Sequence, residues 1–234
     1  MTARYAVYYA PAADDPIGRR AAAWLGRDAF TGETLRRPAL PGLDGLDLEV
    51  LTRSPRGYGF HATLKAPFEL AADRSEAELV AFAQDFAAGQ PAFVAPLAVA
   101  SLGRFIALRL TAESAGMQAL EAACVTEFDP FRAPISAFDL ARRRKAPLTP
   151  EQDQRLVAWG YPYVFEDFRF HMTLTDAAPD PAFQARLVQA LQAHFADLEG
   201  PHRFDSIALF KQPNRAAPFQ VLARFAFERE PAAG

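Results

Sequence analysis

The sequence predicts an α+β fold of two pseudo-symmetric lobes, each a mostly antiparallel sheet with flanking helices, around a central cleft. Three observations support this class. The pattern Phe-His-x-Thr-Leu occurs twice, at residues 60–64 and 170–174, about half the chain apart, which indicates two related halves. Short runs of alternating, β-branched and aromatic residues are typical of strands. Between them lie longer runs whose apolar residues recur at helical spacing.

Length and composition favour one globular domain. The chain of 234 residues predicts a single domain of two lobes, at about residues 1–130 and 131–234, with strand exchange between the lobes left open. Hydrophobic residues make up 50% and charged residues 23%, an ordinary globular mixture. The net charge of −3 gives the surface no general attraction for nucleic acid, so any affinity for phosphate must be local.

Cysteine content and hydropathy predict a cytoplasmic protein. The single cysteine, Cys124, excludes an internal disulfide and fits a reducing compartment. No apolar run approaches the length of a membrane span. The first residues read as a short alternating strand rather than the apolar core of a signal peptide. We therefore expect no membrane contact, and the oligomeric state is not predicted.

The first half begins with a buried strand at residues 5–10 and a helix at about 16–25. Asp15 and Pro16 suit the start of that helix, and Gly26 suits its end. Residues 27–57 are rich in Gly, Pro, Asp and Arg, which predicts a long irregular segment. The elements that follow are the first motif strand, a helix at 75–89, strands at 93–102 and 105–110, and a helix at 113–127.

Residues 131–148 are predicted to cross between the halves, and they contain the basic run at residues 142–145. Such a run is usually a solvated loop or helix end, and a grip on phosphate or RNA is the functional alternative. The elements that follow are a helix at 149–159, the second motif strand, a helix at 180–195, and a strand pair at 204–210 and 219–227.

Side chains alternate between the two faces of a strand, and this groups the polar side chains of each repeated motif on one face. Side chains two positions apart point to the same face, so His61 and Thr63 share one face, as do His171 and Thr173. The Phe and Leu of each motif point to the other face, toward a core. The same alternation places Lys65 beside the first pair and Arg169 beside the second.

This set of side chains suits a phosphate ester. Cleaving a phosphodiester needs a base for the incoming oxygen and an acid for the departing one, and histidine can serve in either role near neutral pH. The hydroxyls of Thr63 and Thr173 can donate to the non-bridging oxygens, and Arg169 or Lys65 can add positive charge. The alternative is a duplicated structural strand pair whose histidines bond within the fold.

Two further residues are candidates for substrate contact. Tyr8 lies on the first strand, where an aromatic side chain is typical of core packing. Lys211 lies at a strand end, where it could reach a phosphate or remain a surface lysine. We assign neither His194 nor His202 to catalysis, since one is expected on an exposed helix face and the other in a loop.

Paired His-x-Thr motifs in a chain of this size resemble the 2H phosphoesterase superfamily. Segments 4–11, 61–68, 159–163 and 209–213 resemble more narrowly the phosphonate-metabolism proteins encoded beside carbon–phosphorus lyase genes, a branch long classed as a domain of unknown function. The resemblance implies a duplicated fold like that of 2H phosphoesterases and RNA ligases. It also implies a metal-independent reaction without cofactor, in which the two histidines act as general acid and base.

The leading hypothesis is therefore a phosphoesterase that hydrolyses a cyclic phosphate or phosphodiester, with a small-molecule phosphate ester as its substrate. The branch resemblance suggests a phosphorylated sugar cyclic phosphate from phosphonate catabolism, and RNA 2′,3′-cyclic ends are the wider option of the superfamily. The alternatives are a non-catalytic phosphate- or nucleotide-binding module on the same scaffold, and an RNA-binding accessory protein that uses residues 142–145.

Overall fold

The computed structural model describes residues 2–228, whose backbone is organised around one eight-stranded sheet. In chain order the strands are β1 (Arg4–Tyr9), β2 (Ala62–Phe68), β3 (Phe93–Leu102), β4 (Phe105–Leu110), β5 (His171–Thr173), β6 (Gly200–Phe204), β7 (Ser206–Gln212) and β8 (Gln220–Ala226). All the strand pairs within these residues are antiparallel. The predicted α+β class is confirmed.

The sheet order brings the two motif strands together at its centre. Across the sheet the strands run β6-β3-β4-β5-β2-β1-β7-β8. The sheet thus divides between β5 and β2 into two blocks of four strands, and each motif strand is the inner strand of its block. The blocks do not follow the halves of the chain. The hairpin of β3 and β4 precedes residue 131 but flanks β5, and β7 and β8 come from the end of the chain but extend β1.

The described residues form eight α-helices, most of which begin at side chains that suit a cap. They are α1 (Pro16–Leu25), α2 (Leu48–Leu51), α3 (Arg53–Tyr58), α4 (Glu76–Ala88), α5 (Ala115–Glu127), α6 (Ala137–Arg143), α7 (Pro150–Trp159) and α8 (Pro181–Phe195). Asp15 accepts from the first backbone N–H groups of α1, and Ser75 and Thr149 each form a capping box. These caps satisfy N–H groups that have no partner within a helix.

Four sequence predictions of local structure need correction. His202, expected in a loop, lies in β6. Residues 27–57 contain α2 and most of α3, which are too short to show helical periodicity. The crossover at 131–148 contains α6, which has no buried residue and hence no apolar stripe to reveal it. The single strand predicted at 204–210 is two strands, since Asp205 separates β6, which pairs with β3, from β7, which pairs with β1.

The two faces of the sheet differ in what covers them. A large apolar cluster joins α1, α4, α5 and α8 to residues such as Val7, Leu64 and Met172. A smaller cluster, which includes Tyr8, Phe210 and Phe219, packs separately. Because Val7 and Tyr8 are consecutive on β1, they point to opposite faces. The imidazoles and hydroxyls of the motif strands lie on the Tyr8 side. In the described part of the chain, no helix is both long and apolar enough to cross a membrane.

Candidate active site

The pairing of β2 with β5 puts the two histidines on one surface. Ala62 lies opposite Met172 in this antiparallel pair, so His61 lies across from Thr173, and Thr63 lies across from His171. Opposite residues on one face have Cβ atoms about 4.5–5.5 Å apart, and diagonal neighbours about 7–8 Å apart. The two imidazoles are therefore diagonal neighbours on one face of the sheet.

A cavity of about 330 Å³ opens above this pair of strands. Both histidines and both threonines of the motifs line it, so the structure brings these four predicted residues together. The cavity is within the size range of small-molecule sites. Its remaining walls include Tyr58 from α3, and α3 is held there by a hydrogen bond from Ser54 N to the Asp176 carboxylate of 3.0 Å.

Both imidazoles are held by the same kind of hydrogen bond. His61 Nδ1 donates to the Gly59 carbonyl at 2.8 Å, and His171 Nδ1 donates to the Arg169 carbonyl at 2.6 Å. A carbonyl oxygen can only accept, so Nδ1 carries the proton in both rings. Nε2 is therefore the nitrogen that can gain or lose a proton, and His61 Nε2 lies 3.4 Å from the Thr63 hydroxyl.

Gly59 is required by the turn that supplies the first of these carbonyls. Its φ of +81° lies in a region that favours glycine, and a Cβ at this position would overlap the side chain of Ala29. The turn joins α3 to β2 and directs the Gly59 carbonyl back to the ring two residues later. A larger residue would therefore displace either α3 or the imidazole of His61.

Burial lowers the pKa of both histidines. For His61 the pKa falls to about 4, mainly because burial disfavours the imidazolium, with the bond to the Gly59 carbonyl opposing the shift and His171 adding to it. Burial also lowers the pKa of His171, the Arg169 carbonyl opposes it, and Arg109 adds to it. Both rings are thus neutral in the unliganded protein at neutral pH.

Tyr8 lies in the cleft and packs against the first histidine. Its ring stacks on His61 with 3.9 Å between the ring centroids, and the residue is fully buried. Its hydroxyl has no hydrogen-bond partner within residues 2–228. Burial raises the pKa of Tyr8 well above its ordinary value, so the hydroxyl remains a donor. The cavity wall therefore contains a buried O–H group that a ligand could satisfy.

The structure contradicts the predicted position of Lys65. Its ammonium donates to the Val125 carbonyl at 2.6 Å and pairs with Asp129 at 2.9 Å, and its side chain is only 3% exposed. The register of β2 against β1 shifts between the partners of Val7 and Tyr8, which adds one residue to β2. Such a bulge reverses the alternation, and Lys65 points to the helices instead of the cleft.

Arg169 and Lys211 also lie outside the cavity. Arg169 precedes β5, and its guanidinium donates to the Glu166 and Phe168 carbonyls. Lys211 forms an ion pair with Glu76 at 2.5 Å. Neither residue lines the cavity that holds the two histidines. The structure therefore leaves Tyr8, Thr63 and Thr173 as the predicted substrate contacts that reach the cleft.

Other residues that line the cavity include Arg4, Arg143, Tyr58 and Tyr161. Arg4 and Tyr161 were not predicted from sequence as substrate contacts, whereas Tyr58 precedes the first motif at a position from which it could close over a substrate, and Arg143 belongs to the basic run. The Arg143 guanidinium lies over the Tyr161 ring, 4.7 Å from its centroid. The basic run at 142–145 was the one signal that could have identified an arginine here. Arg4 carries no such signal, because β1 reaches the cleft only through its pairing with β2.

Acidic side chains contribute little to this site. Asp176 is the one carboxylate among the described residues that line the cavity, and it accepts from the backbone of Ser54. Within residues 2–228 no group of three or more His, Cys, Asp or Glu side chains is arranged to hold a metal ion. What the site offers a ligand is imidazole, hydroxyl and guanidinium.

The family "Protein of unknown function (DUF1045)" matches residues 63–220, a segment that contains the whole second motif but only Thr63 and Leu64 of the first. Ribose 1,5-bisphosphate phosphokinase PhnN of Janthinobacterium sp. (strain Marseille) is 38% identical over 231 residues, which cover 96% of this chain and 51% of that protein. The protein of the same name from Laribacter hongkongensis (strain HLHK9) is 37% identical over 221 residues, 93% of this chain and 50% of that protein. The chain thus spans about half the length of the curated relatives it matches.

Among solved structures, E. coli LigT complexed with 3′-AMP aligns with 98% of this chain and 100% of that chain. The sequence identity is 13% and the TM-score is 0.47.

Proposed function

Because the chain belongs to the DUF1045 family, the domain of unknown function that the segments around its motifs resemble, we propose that it is a phosphoesterase linked to phosphonate metabolism. The observation that carries the proposal is the pair of imidazoles on adjacent strands. Each has Nδ1 bound to a backbone carbonyl, and both line one cavity with a threonine from each motif. The reaction is hydrolysis of a cyclic phosphate.

The two histidines divide the proton transfers between them. One neutral imidazole removes a proton from water through Nε2 as the water oxygen attacks phosphorus. The other, in its protonated form, gives a proton to the oxygen that leaves. The hydroxyls of Thr63, Thr173 and Tyr8 donate to the non-bridging oxygens, whose charge needs stabilisation in the transition state. Water is added across one P–O bond, so a cyclic diester becomes a monoester and a free hydroxyl.

The curated relatives suggest which cyclic phosphate this is. Their name refers to a kinase that acts on ribose 1,5-bisphosphate. Opening the 1,2-cyclic phosphate of ribose 5-phosphate at the bond to oxygen 2 gives that compound. We therefore assign the phosphorylated sugar cyclic phosphate as substrate and place this reaction directly before a phosphorylation of its product. In the longer relatives both activities would then reside in one chain.

The test is a screen of the purified protein against cyclic phosphates of sugars, nucleosides and RNA ends, followed by phosphorus NMR. For the substrate that is opened, His61→Ala and His171→Ala should each lower kcat by at least about 10³-fold. His194→Ala, on α8, is the matched control and should retain the wild-type rate. Both active-site variants should unfold cooperatively. Near-normal turnover in either would refute the mechanism, and binding without turnover across the screen would favour a non-catalytic module.

A further inference from the structure

Two arginines at the cleft lack acidic partners. Arg4 and Arg143 both line the cavity that holds His61 and His171. Arg4 donates only to the amide oxygen of Gln212, which is neutral. Within residues 2–228 the Arg143 guanidinium has no hydrogen-bond or ion-pair partner. Its stacking on Tyr161 fixes the plane of the guanidinium but leaves its N–H groups free.

The neighbouring charges show why these two arginines differ from the rest. Arg142 pairs with Asp139 at 3.0 Å, and Arg215 pairs with the same carboxylate. Asp139 is therefore already engaged by two guanidinium groups. Burial lowers the pKa of both Arg4 and Arg143, and the Asp139 carboxylate opposes this shift from a distance without a hydrogen bond or ion pair to either guanidinium. The unliganded cleft thus contains two guanidinium groups that no carboxylate of residues 2–228 contacts directly.

The position of the pair defines a second part of the site. A smaller cavity adjoins the cleft, and Arg4 and Arg143 line both spaces. Glu69 and Asp139 also line the smaller cavity, where both carboxylates pair with Arg215. Neither motif histidine lines the smaller cavity. A ligand whose phosphodiester lies between the histidines would therefore meet the two guanidinium groups with a different part of its structure. Guanidinium groups bind phosphoryl oxygens through paired N–H donors, and a phosphomonoester carries nearly two negative charges at neutral pH.

We propose that Arg143 and Arg4 bind a second phosphoryl group of the substrate, remote from the bond that is cleaved, and so select phosphorylated over unphosphorylated cyclic phosphates. This inference rests on the proposed function and adds the residues that select its substrate class. A substrate with one phosphodiester would leave the two arginines unpaired.

The kinetic test uses two substrates that differ only in the remote group, ribose 1,2-cyclic phosphate 5-phosphate and ribose 1,2-cyclic phosphate. Wild-type kcat/KM should favour the first by about 100-fold or more, and Arg143→Gln should reduce that ratio at least about tenfold. Arg144→Gln is the matched control, because Arg144 follows directly in the chain, is exposed and pairs with Asp153. It should leave the ratio unchanged. Arg4→Gln is the second test variant and should reduce the ratio in the same direction.

A binding measurement separates failure of this inference from failure of the proposed function. By calorimetry, ribose 5-phosphate should bind Arg143→Gln at least about tenfold more weakly than it binds wild type or Arg144→Gln. If no cyclic phosphate is turned over but this difference holds, the subsite stands and the phosphoesterase proposal falls. If turnover occurs but neither arginine variant changes the ratio or the affinity, the subsite is refuted. A preference for RNA 2′,3′-cyclic ends over the phosphorylated sugar would also overturn it.

Discussion

At the residue scale, the chemistry of the cleft is set by where each ring is anchored. The Nδ1 bonds to the Gly59 and Arg169 carbonyls fix the tautomer and orientation of His61 and His171. Burial then opposes protonation of either ring. An acid–base pair needs one ring protonated, so a bound anion has a second function here: its negative charge favours the imidazolium that the empty site disfavours.

This balance predicts an acid-shifted pH profile for kcat/KM, which reports the free protein. Since the pKa of His61 is lowered to about 4 and that of His171 is also lowered, the general acid loses its proton as the pH rises through its own lowered pKa. The bell should therefore have its maximum below the ordinary histidine pKa of about 6.5. The profile of kcat should lie at higher pH, because bound substrate raises both pKa values. A kcat/KM maximum above pH 7.5 would contradict this.

Tyr8 provides a prediction in which stability and activity separate. Tyr8→Phe removes a buried hydroxyl that has no partner in the described structure and keeps the ring that stacks on His61. Unfolding in urea should show unchanged stability or a gain of up to about 1 kcal/mol, since no hydrogen bond is lost. The value of kcat/KM should fall about tenfold or more if the hydroxyl donates to phosphate. Equal activity of the two proteins would remove Tyr8 from the substrate contacts.

At the element scale, the bulge in β2 decides which side chains reach the cleft. Thr63 lies before the register shift and faces the cavity, whereas Lys65 lies after it and faces the helices. The shift is a property of the pairing with β1 rather than of the β2 sequence. Lys65 is thereby converted from an expected phosphate ligand into a structural cation that joins β2 to the end of α5.

The structural role of Lys65 predicts a loss of stability without a loss of affinity. Lys65→Met should lower the free energy of unfolding by about 1–3 kcal/mol, because the Val125 carbonyl and Asp129 lose a buried partner while Asp129 keeps Arg132. KM should change less than about twofold, within ordinary variation. Lys145→Met, at an exposed position in the crossover, should leave both quantities unchanged. A large rise in KM for Lys65→Met would restore it as a substrate ligand.

At the scale of the whole molecule, sequence could predict what is local and not what depends on distant pairing. The repeated motif is read directly from adjacent residues, and the caps of α1, α4 and α7 depend on neighbours in the chain. That Arg4 and Arg143 line the same cavity depends on the position of β1 in the sheet and on where the crossover places α6. The split of 204–210 likewise follows from two strands with partners on opposite sides of the sheet.

The strand order makes a prediction about how the halves depend on one another. Cleaving the chain between Ala146 and Pro147, at exposed positions between α6 and α7, separates β1–β4 from β5–β8. The N-terminal fragment alone would expose the edges of β1, β2, β3 and β4 that pair with β7, β5 and β6. Unpaired strand edges leave backbone N–H and C=O groups without partners. Neither fragment should therefore show a cooperative thermal transition by circular dichroism.

The mixture of the two fragments should recover both the transition and the activity, because each block of four strands needs strands from both fragments. The control is the full-length protein with a protease site at this bond, cut after the protein has folded. It should keep its transition, because the bond lies outside the strands and cutting it breaks no strand pairing. A cooperative transition of fragment 1–146 alone, as a monomer, would contradict the prediction. It would mean that β3 and β4 do not depend on β5 and β6, and that the lobes follow the order of the sequence.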